Sequence, residues 1–159
     1  MINLVLFEPD IPQNFGACLR LSACLGCTVH VIQPCGFPLD DKKLKRAAMD
    51  YYNHARWQRH RSWDTFLAHR IEHPGRLLLL ETDGATSYTD FLFTPTDYIL
   101  LGRESAGTPR ELYAQMDVTL TIPMREGVRS LNVAMAAGIL VAEAARQLHW
   151  AFDSAPAQA

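Results

Sequence analysis

The sequence contains no apolar run approaching the roughly 18–20 residues that a membrane-spanning helix needs, which excludes a helical membrane protein. It opens on the strand-like INLVLF, without a basic segment or a small-residue cleavage site, so a cytoplasmic location is expected. Net charge is small, −2, which argues against indiscriminate binding to polyanions. Any contact with nucleic acid has to come from locally concentrated charge. Cysteine is sparse. Of the four, Cys24 and Cys27 have CxxC spacing, but no second CxxC or close Cys/His pair completes a zinc site. A redox CxxC opens a helix, whereas this one falls where a helix is ending, so reduced and mostly buried thiols and no metal are expected. Two glycine patterns also fail. Gly102–Gly107 has P-loop-like spacing, but Thr108-Pro109 replaces the Lys-Ser/Thr pair that would hold phosphate and magnesium. Ser105 is not a nucleophile elbow, because Arg103 occupies the position that needs glycine. No GxGxxG follows a strand. There is no repeat, low-complexity tract or linker, so the 159 residues read as one domain over 1–150 with a frayed tail at 151–159.

What is present is an alternation of strands and helices. Ile2–Phe7, Thr28–Ile32, Arg76–Leu80, Asp97–Leu101 and Val118–Ile122 are apolar, β-branched or leucine-rich runs that read as buried strands, with a short further strand near Ala55–Gln58. Helices are expected from Asn14, as cap, to Leu25, with Gly26 as the stop, and from Asp40 or Asp41 to Met49. Others run from Ser62 to Arg70, from Pro109 to Met116, and from Val133 to Leu148. Thr82–Asp90 reads as loop. The class that follows is α/β, a single-domain mainly parallel sheet with helices on both faces.

The stretch Ile122–Gly138 holds the best candidate site. A strand end, the polar loop Met124–Arg129 and the start of an alanine-rich helix coincide there, and open α/β sheets bind ligands at such edges. The loops Glu81–Gly84 and Gly102–Pro109 share that edge. Together they offer backbone amides and few ionisable groups: Arg103, Glu104, Arg125, Arg129, Ser130 and Asn132. Such a site suits a ligand that carries its own reactivity and needs to be positioned. Separately, Lys42–Arg61 sets seven cations against one acid, Asp50, with Tyr51, Tyr52 and Trp57 among them. That composition fits a base-stacking RNA surface, and it equally fits a solvated helix face over core aromatics.

Three segments carry a resemblance. Pro12–Arg20 (PQNFGACLR), Gly102–Pro109 (GRESAGTP) and Ile122–Val133 (IPM…RSLNV) resemble, in order, the three motifs of SPOUT-class RNA 2′-O-methyltransferases. They are most similar to the small stand-alone TrmL- or YibK-like members that methylate the wobble ribose of tRNA. Arg103 departs from the pattern, in which proline is common there. The resemblance implies a C-terminal deep trefoil knot and a homodimer with active sites at its interface. It implies S-adenosylmethionine held at Leu80, Gly102, Glu104, Ile122, Ser130 and Leu131, with Arg20 (from the partner subunit), Ser130 and Asn132 catalytic. The expected substrate is the wobble pyrimidine in the tRNA anticodon loop, with Lys42, Lys43, Arg46, Arg56, Arg59 and Arg61 as the RNA surface. A methyltransferase acting on another RNA position, or a silent RNA-binding module on the same fold, are the alternatives.

Overall fold

The computed structural model describes residues 1–39 and 49–150. The expected basic helix from Asp40 to Met49, with Lys42, Lys43 and Arg46, and the expected tail at 151–159 lie outside the described residues apart from Met49, which begins a 3-10 turn. Seven strands form one sheet: β1 (Asn3–Phe7), β2 (Thr28–Ile32), β3 (Arg56–His60), β4 (Leu77–Leu80), β5 (Thr86–Ser87), β6 (Tyr98–Leu101) and β7 (Val118–Thr121). Their order across the sheet is β3-β2-β1-β6-β4-β7-β5, and every neighbouring pair runs parallel. Among the described residues three α-helices accompany them: α1 (Pro12–Leu25), α2 (Trp63–Glu72) and α3 (Val133–Gln147).

The period of two along each strand divides the core into two layers. Leu4 and Leu6 of β1 face α1 and α3, packing with Phe15, Leu19, Ile99, Leu101, Leu140 and Val141. Val5 and Phe7 face the other way, towards Phe66 of α2, with Leu77, Leu79, Leu100 and Leu112. Both faces are therefore covered, as a parallel sheet requires.

The helix ends follow their local chemistry. Gly26 ends α1 at φ 76°, and its N–H bonds the Ser22 carbonyl. Ser62 and Thr65 form a reciprocal capping box at the start of α2. Three expectations are corrected. α1 begins at Pro12 with Ile11 as its cap, because proline tolerates the first turn and Asn14 is used elsewhere. Arg110–Gln115 is a 3-10 segment behind Pro109 and not an α-helix, and Thr86–Ser87 forms a two-residue edge strand inside the expected loop. The short third strand runs Arg56–His60, a residue or two beyond its expected place.

At the β2–β3 edge the structure gathers four histidines. His30 Nδ1 and His60 Nε2 lie 2.9 Å apart, and Asn3 Oδ1 is 3.3 Å from His30 Nε2. His69 packs 5.1 Å from the His30 ring and stacks on His73 at 4.3 Å, with Phe66 and Tyr98 closing the cluster. Burial first, then the neighbouring imidazoles, push His30 down to about 3 and His60 down to about 4. His69 is lowered by the same causes, opposed by Glu72. The unfolded chain, with histidine near 6.5, thus binds more protons at mildly acid pH than the folded one. The stabilisation is complete above about pH 6.5 and drains away as pH falls towards the folded-state values. We expect Tm to drop by on the order of 5 °C between about pH 7.5 and 5, and the double change His30→Gln, His60→Gln to flatten that slope in thermal melts.

Candidate active site

Strands β1, β6, β4 and β7 are adjacent and parallel, so the loops after them leave from one edge of the sheet. There they enclose a cavity of about 440 Å³. All six residues expected to hold the cofactor line it: Leu80, Gly102, Glu104, Ile122, Ser130 and Leu131. Asn132 lines it too, as do Asn14, Glu81, Arg103 and Met124. The loops pack backbone against backbone. A Cβ on Gly102 would sit 2.6 Å from the Gly107 carbonyl carbon and 2.7 Å from the Thr108 nitrogen. On Gly84 it would sit 2.2 Å from the Leu120 oxygen, so the chain leaving β4 crosses hard against β7. Only glycine fits either place.

A hydrogen-bond relay joins the three motif segments. Glu104 accepts from the Asp10 N–H at 2.8 Å and from the Asn14 side-chain amide at 2.8 Å. The oxygen of that amide accepts from Asn132 Nδ2 at 2.8 Å. Asn132 Oδ1 then caps α3, accepting from Ala134 N at 2.9 Å and Met135 N at 3.2 Å. Asn14 is therefore not a helix cap but a buried bridge between Glu104 and Asn132. Arg103 is held in parallel. It bonds Glu8 Oε2 at 2.6 Å and the Glu8 carbonyl at 3.3 Å, with Asp10 3.8 Å away. Asp10 also receives the Ser105 hydroxyl and N–H, and the hydroxyl bond chiefly holds its carboxyl below the usual range.

The cavity suits S-adenosylmethionine. Strand-end backbone and the apolar Leu80, Leu101, Ile122 and Val133 can take a purine, and Glu81 adds an acidic residue to the same lining. Beside Gly102 the buried Thr108 hydroxyl has no hydrogen-bond partner among the described residues.

Other expectations are placed differently. Arg20 does not line this cavity. It sits on the outer face of α1, in a separate groove of about 460 Å³ shared with Gln13, Ala17, Cys24 and Ala134. Its guanidinium carbon lies 5.0 Å from the Tyr51 ring centroid. Arg56, Arg59 and Arg61 are exposed on and just after the edge strand β3, with Arg59 also donating to the Leu39 carbonyl at 2.9 Å. The aromatics among them are less free than a stacking platform needs: Trp57 packs edge-on against Phe15 at 5.6 Å, and Tyr52 against Trp57. All four thiols are free. Cys18 and Cys27 are buried, with burial pushing each up to about 12, but Cys24 is exposed where a mostly buried set was expected.

Two functional candidates were missed from sequence. Asn14 reads as a cap because asparagine before a helix usually is one, and Glu81 is marked only as the first residue of the loop Glu81–Gly84, with nothing to single out its side chain. For the relay, Asn14→Ala leaves the Asn132 amide without its acceptor and Glu104 without one donor. We expect a loss of about 1–3 kcal/mol in denaturant unfolding, with weaker S-adenosylmethionine binding by calorimetry.

Comparisons with known proteins bear on the family and the fold. The family model described as the SpoU rRNA methylase family matches residues 1–142. A Beijerinckia indica protein named tRNA (cytidine(34)-2′-O)-methyltransferase is 49% identical over 145 residues, 91% of either chain. A solved structure described as giving insights into the 2-OH methylation of C/U34 on tRNA is 43% identical, with a TM-score of 0.88 over 94% of this chain and 97% of that one. The SpoU methyltransferase AviRb from Streptomyces viridochromogenes, in complex with AdoMet, is 27% identical with a TM-score of 0.83, over 94% of this chain and 58% of that one.

Proposed function

Since the chain belongs to the SpoU rRNA methylase family, we propose that it is an S-adenosylmethionine-dependent methyltransferase of tRNA, acting on the ribose 2′-hydroxyl of the wobble pyrimidine at position 34. The observation that carries this is the cavity at the carboxyl edge of the sheet, lined by the residues of all three motifs and joined by the Glu104–Asn14–Asn132 relay. When bound, the cofactor supplies a sulfonium-activated methyl group, so the proposed step requires no metal.

The protein's own work is positioning. Backbone at Leu80, Gly102, Ile122 and Leu131 holds the cofactor, and Asn132 fixes the start of α3 beside it. Ser130 and Asn132 face the same space and orient the incoming ribose. Arg20 acts as a clamp on phosphate or hydroxyl. A guanidinium with a pKa above about 12 is a poor base, so the 2′-hydroxyl proton is taken by a substrate phosphate or water, with the Ser130 hydroxyl assisting as a hydrogen-bonding relay.

Because Arg20 lies outside the cavity of its own chain, the complete site is proposed to need a second copy. The surface beside Arg20 supports that reading. Ala17 and Ala134 are small, and Met135 is 62% exposed. A deep trefoil knot is part of the proposal. It is supported by the insertion of β7 between β4 and β5 and by the tight crossing at Gly84. Exposed Arg56, Arg59 and Arg61 form the described part of the proposed RNA surface. No helix among the described residues is long and apolar enough to cross a membrane, and a cytoplasmic site of action is proposed with the tRNA substrate.

The test is incubation with methyl-labelled S-adenosylmethionine and tRNA lacking wobble methylation, followed by digestion. Label in a 2′-O-methylated pyrimidine at position 34 is expected. Label at another nucleoside would move the substrate, and none at all would overturn the reading. Two further results are expected. Arg20→Ala lowers kcat by on the order of a hundredfold while leaving S-adenosylmethionine affinity unchanged. Mixing Arg20→Ala with Leu131→Trp, which fills the cavity from a part-exposed position, restores about a quarter of wild-type activity, the statistical share of intact sites in randomly mixed dimers.

A further inference from the structure

Three ionisable side chains line the cavity: Glu81, Arg103 and Glu104. Two are already satisfied within the fold. Arg103 is neutralised by Glu8 at 2.6 Å and Asp10 at 3.8 Å. Glu104 spends both carboxylate oxygens, one on the Asp10 N–H and one on the Asn14 amide. Glu81 is different. It is half-buried in the first position after β4, its N–H fixed to the Leu120 carbonyl at 2.9 Å, so the backbone beneath it is rigid. Its side chain reaches across the cavity towards the loop after β6, where Oε1 lies 3.9 Å from the place a Cβ on Gly107 would take. No cation pairs with it among the described residues. The nearby Arg110 is turned to Asp83 at 3.8 Å and over the Tyr113 ring. The Tyr113 phenol faces the Glu81 carboxylate, and burial, then that carboxylate, hold the phenol above the ordinary tyrosine range. One phenol uses one of about four lone-pair sites on a carboxylate, which leaves acceptor capacity on a residue that lines the cavity.

The uncompensated charge in this wall is therefore negative, half-buried and aimed at space that a cationic, hydroxyl-bearing ligand would fill. We infer that Glu81 is a cofactor-recognition residue, its carboxylate accepting hydrogen bonds from the donor groups of S-adenosylmethionine. The inference rests on the cofactor reading above and extends it to a residue that no motif marks. Two donors have the required chemistry, the ribose hydroxyls and the α-ammonium. Glutamine keeps the size and one acceptor oxygen of Glu81 but loses the charge, so the cost falls on charge-assisted bonds.

The experiment is calorimetric titration of the full-length protein with S-adenosylmethionine and with 5′-methylthioadenosine, which keeps the ribose hydroxyls and lacks the ammonium. Glu81→Gln is expected to weaken S-adenosylmethionine by about tenfold or more. An equal loss for methylthioadenosine assigns the ribose, and a much smaller one assigns the ammonium; either supports the inference. Tyr113→Phe removes the phenol alone and is expected to leave both affinities within about twofold. Wild-type binding together with an unaltered Glu81→Gln affinity would overturn the inference and leave the methyltransferase reading standing. A Tyr113→Phe loss as large as that of Glu81→Gln would also overturn it, by making Glu81 a support for the Tyr113 segment. A wild-type protein that binds no S-adenosylmethionine would overturn both.

Discussion

Asn14 is the residue through which the three parts of the site hold one another. Its amide donates to Glu104, 90 residues away in sequence, and accepts from Asn132, 118 residues away. Each bond has the direction that the others require. Glu104 is an acceptor only, so Asn14 must turn its nitrogen to it, and its oxygen is thereby left for Asn132 Nδ2. That in turn frees Asn132 Oδ1 to cap α3. Asn14 is almost wholly buried at 7% exposure, where an amide with one end unpaired would cost more than a missing surface bond. The relay therefore admits one orientation of every amide in it. The position of the last helix relative to the first is set by polar bonds as much as by the apolar packing of Leu19, Leu140 and Val141 behind them.

The sheet supplies the frame on which this relay is stretched. With order β1-β6-β4-β7 and all pairs parallel, four consecutive loops must leave from the same edge, and their backbones meet at glycine-tight distances. A wall built in this way presents amides and carbonyls with few side chains between them. It recognises a ligand by fixed geometry, and its few charges matter accordingly. Arg103 and Glu104 serve to bind the loops to one another, which leaves Glu81 as the charge available to a ligand. The electrostatics of the cavity thus follow from how its rim is held together.

Much of this was legible in the sequence, and the reasons differ by element. The strands declare themselves because buried parallel strands are continuous apolar runs, as in Leu77–Leu80 and Tyr98–Leu101. Gly26, Ser62 and Asn132 declare helix ends because capping is local chemistry. The six positions that the resemblance marks for the cofactor all line one cavity, because the segments carrying it fall at strand ends and the loops after them. What failed was whatever depends on distant neighbours. Asn14 carries a cap's signature but serves a long-range bridge. The two-residue β5 is too short to show a period. For Trp57 and Tyr52 the sequence left stacking platform and core aromatic equally open, and only the packing of Phe15 against Trp57 puts that ring among the packed ones. Strand order, which decides which loops meet, has no signature in any one segment.

The position of Arg20 divides the proposed activity into two parts with different structural requirements. The cavity residues named above are carried by the strand ends of one chain's sheet, so on the proposed reading that sheet supplies the cofactor wall. Arg20 is held on the opposite side of α1, against Tyr51, in a groove bordered by Ala17 and Ala134. A side chain there cannot turn inward, because Phe15, Cys18 and Leu19 fill the inner face of the same helix without exposure. From this placement Arg20 is proposed to serve the cavity of a second copy. On the proposed reading, α1 performs both tasks at once. Its inner surface and Asn14 hold the cofactor wall of one subunit, and its outer surface completes the site of the other. Methyl transfer is then coupled to association by the rigidity of a single helix, with no conformational switch required.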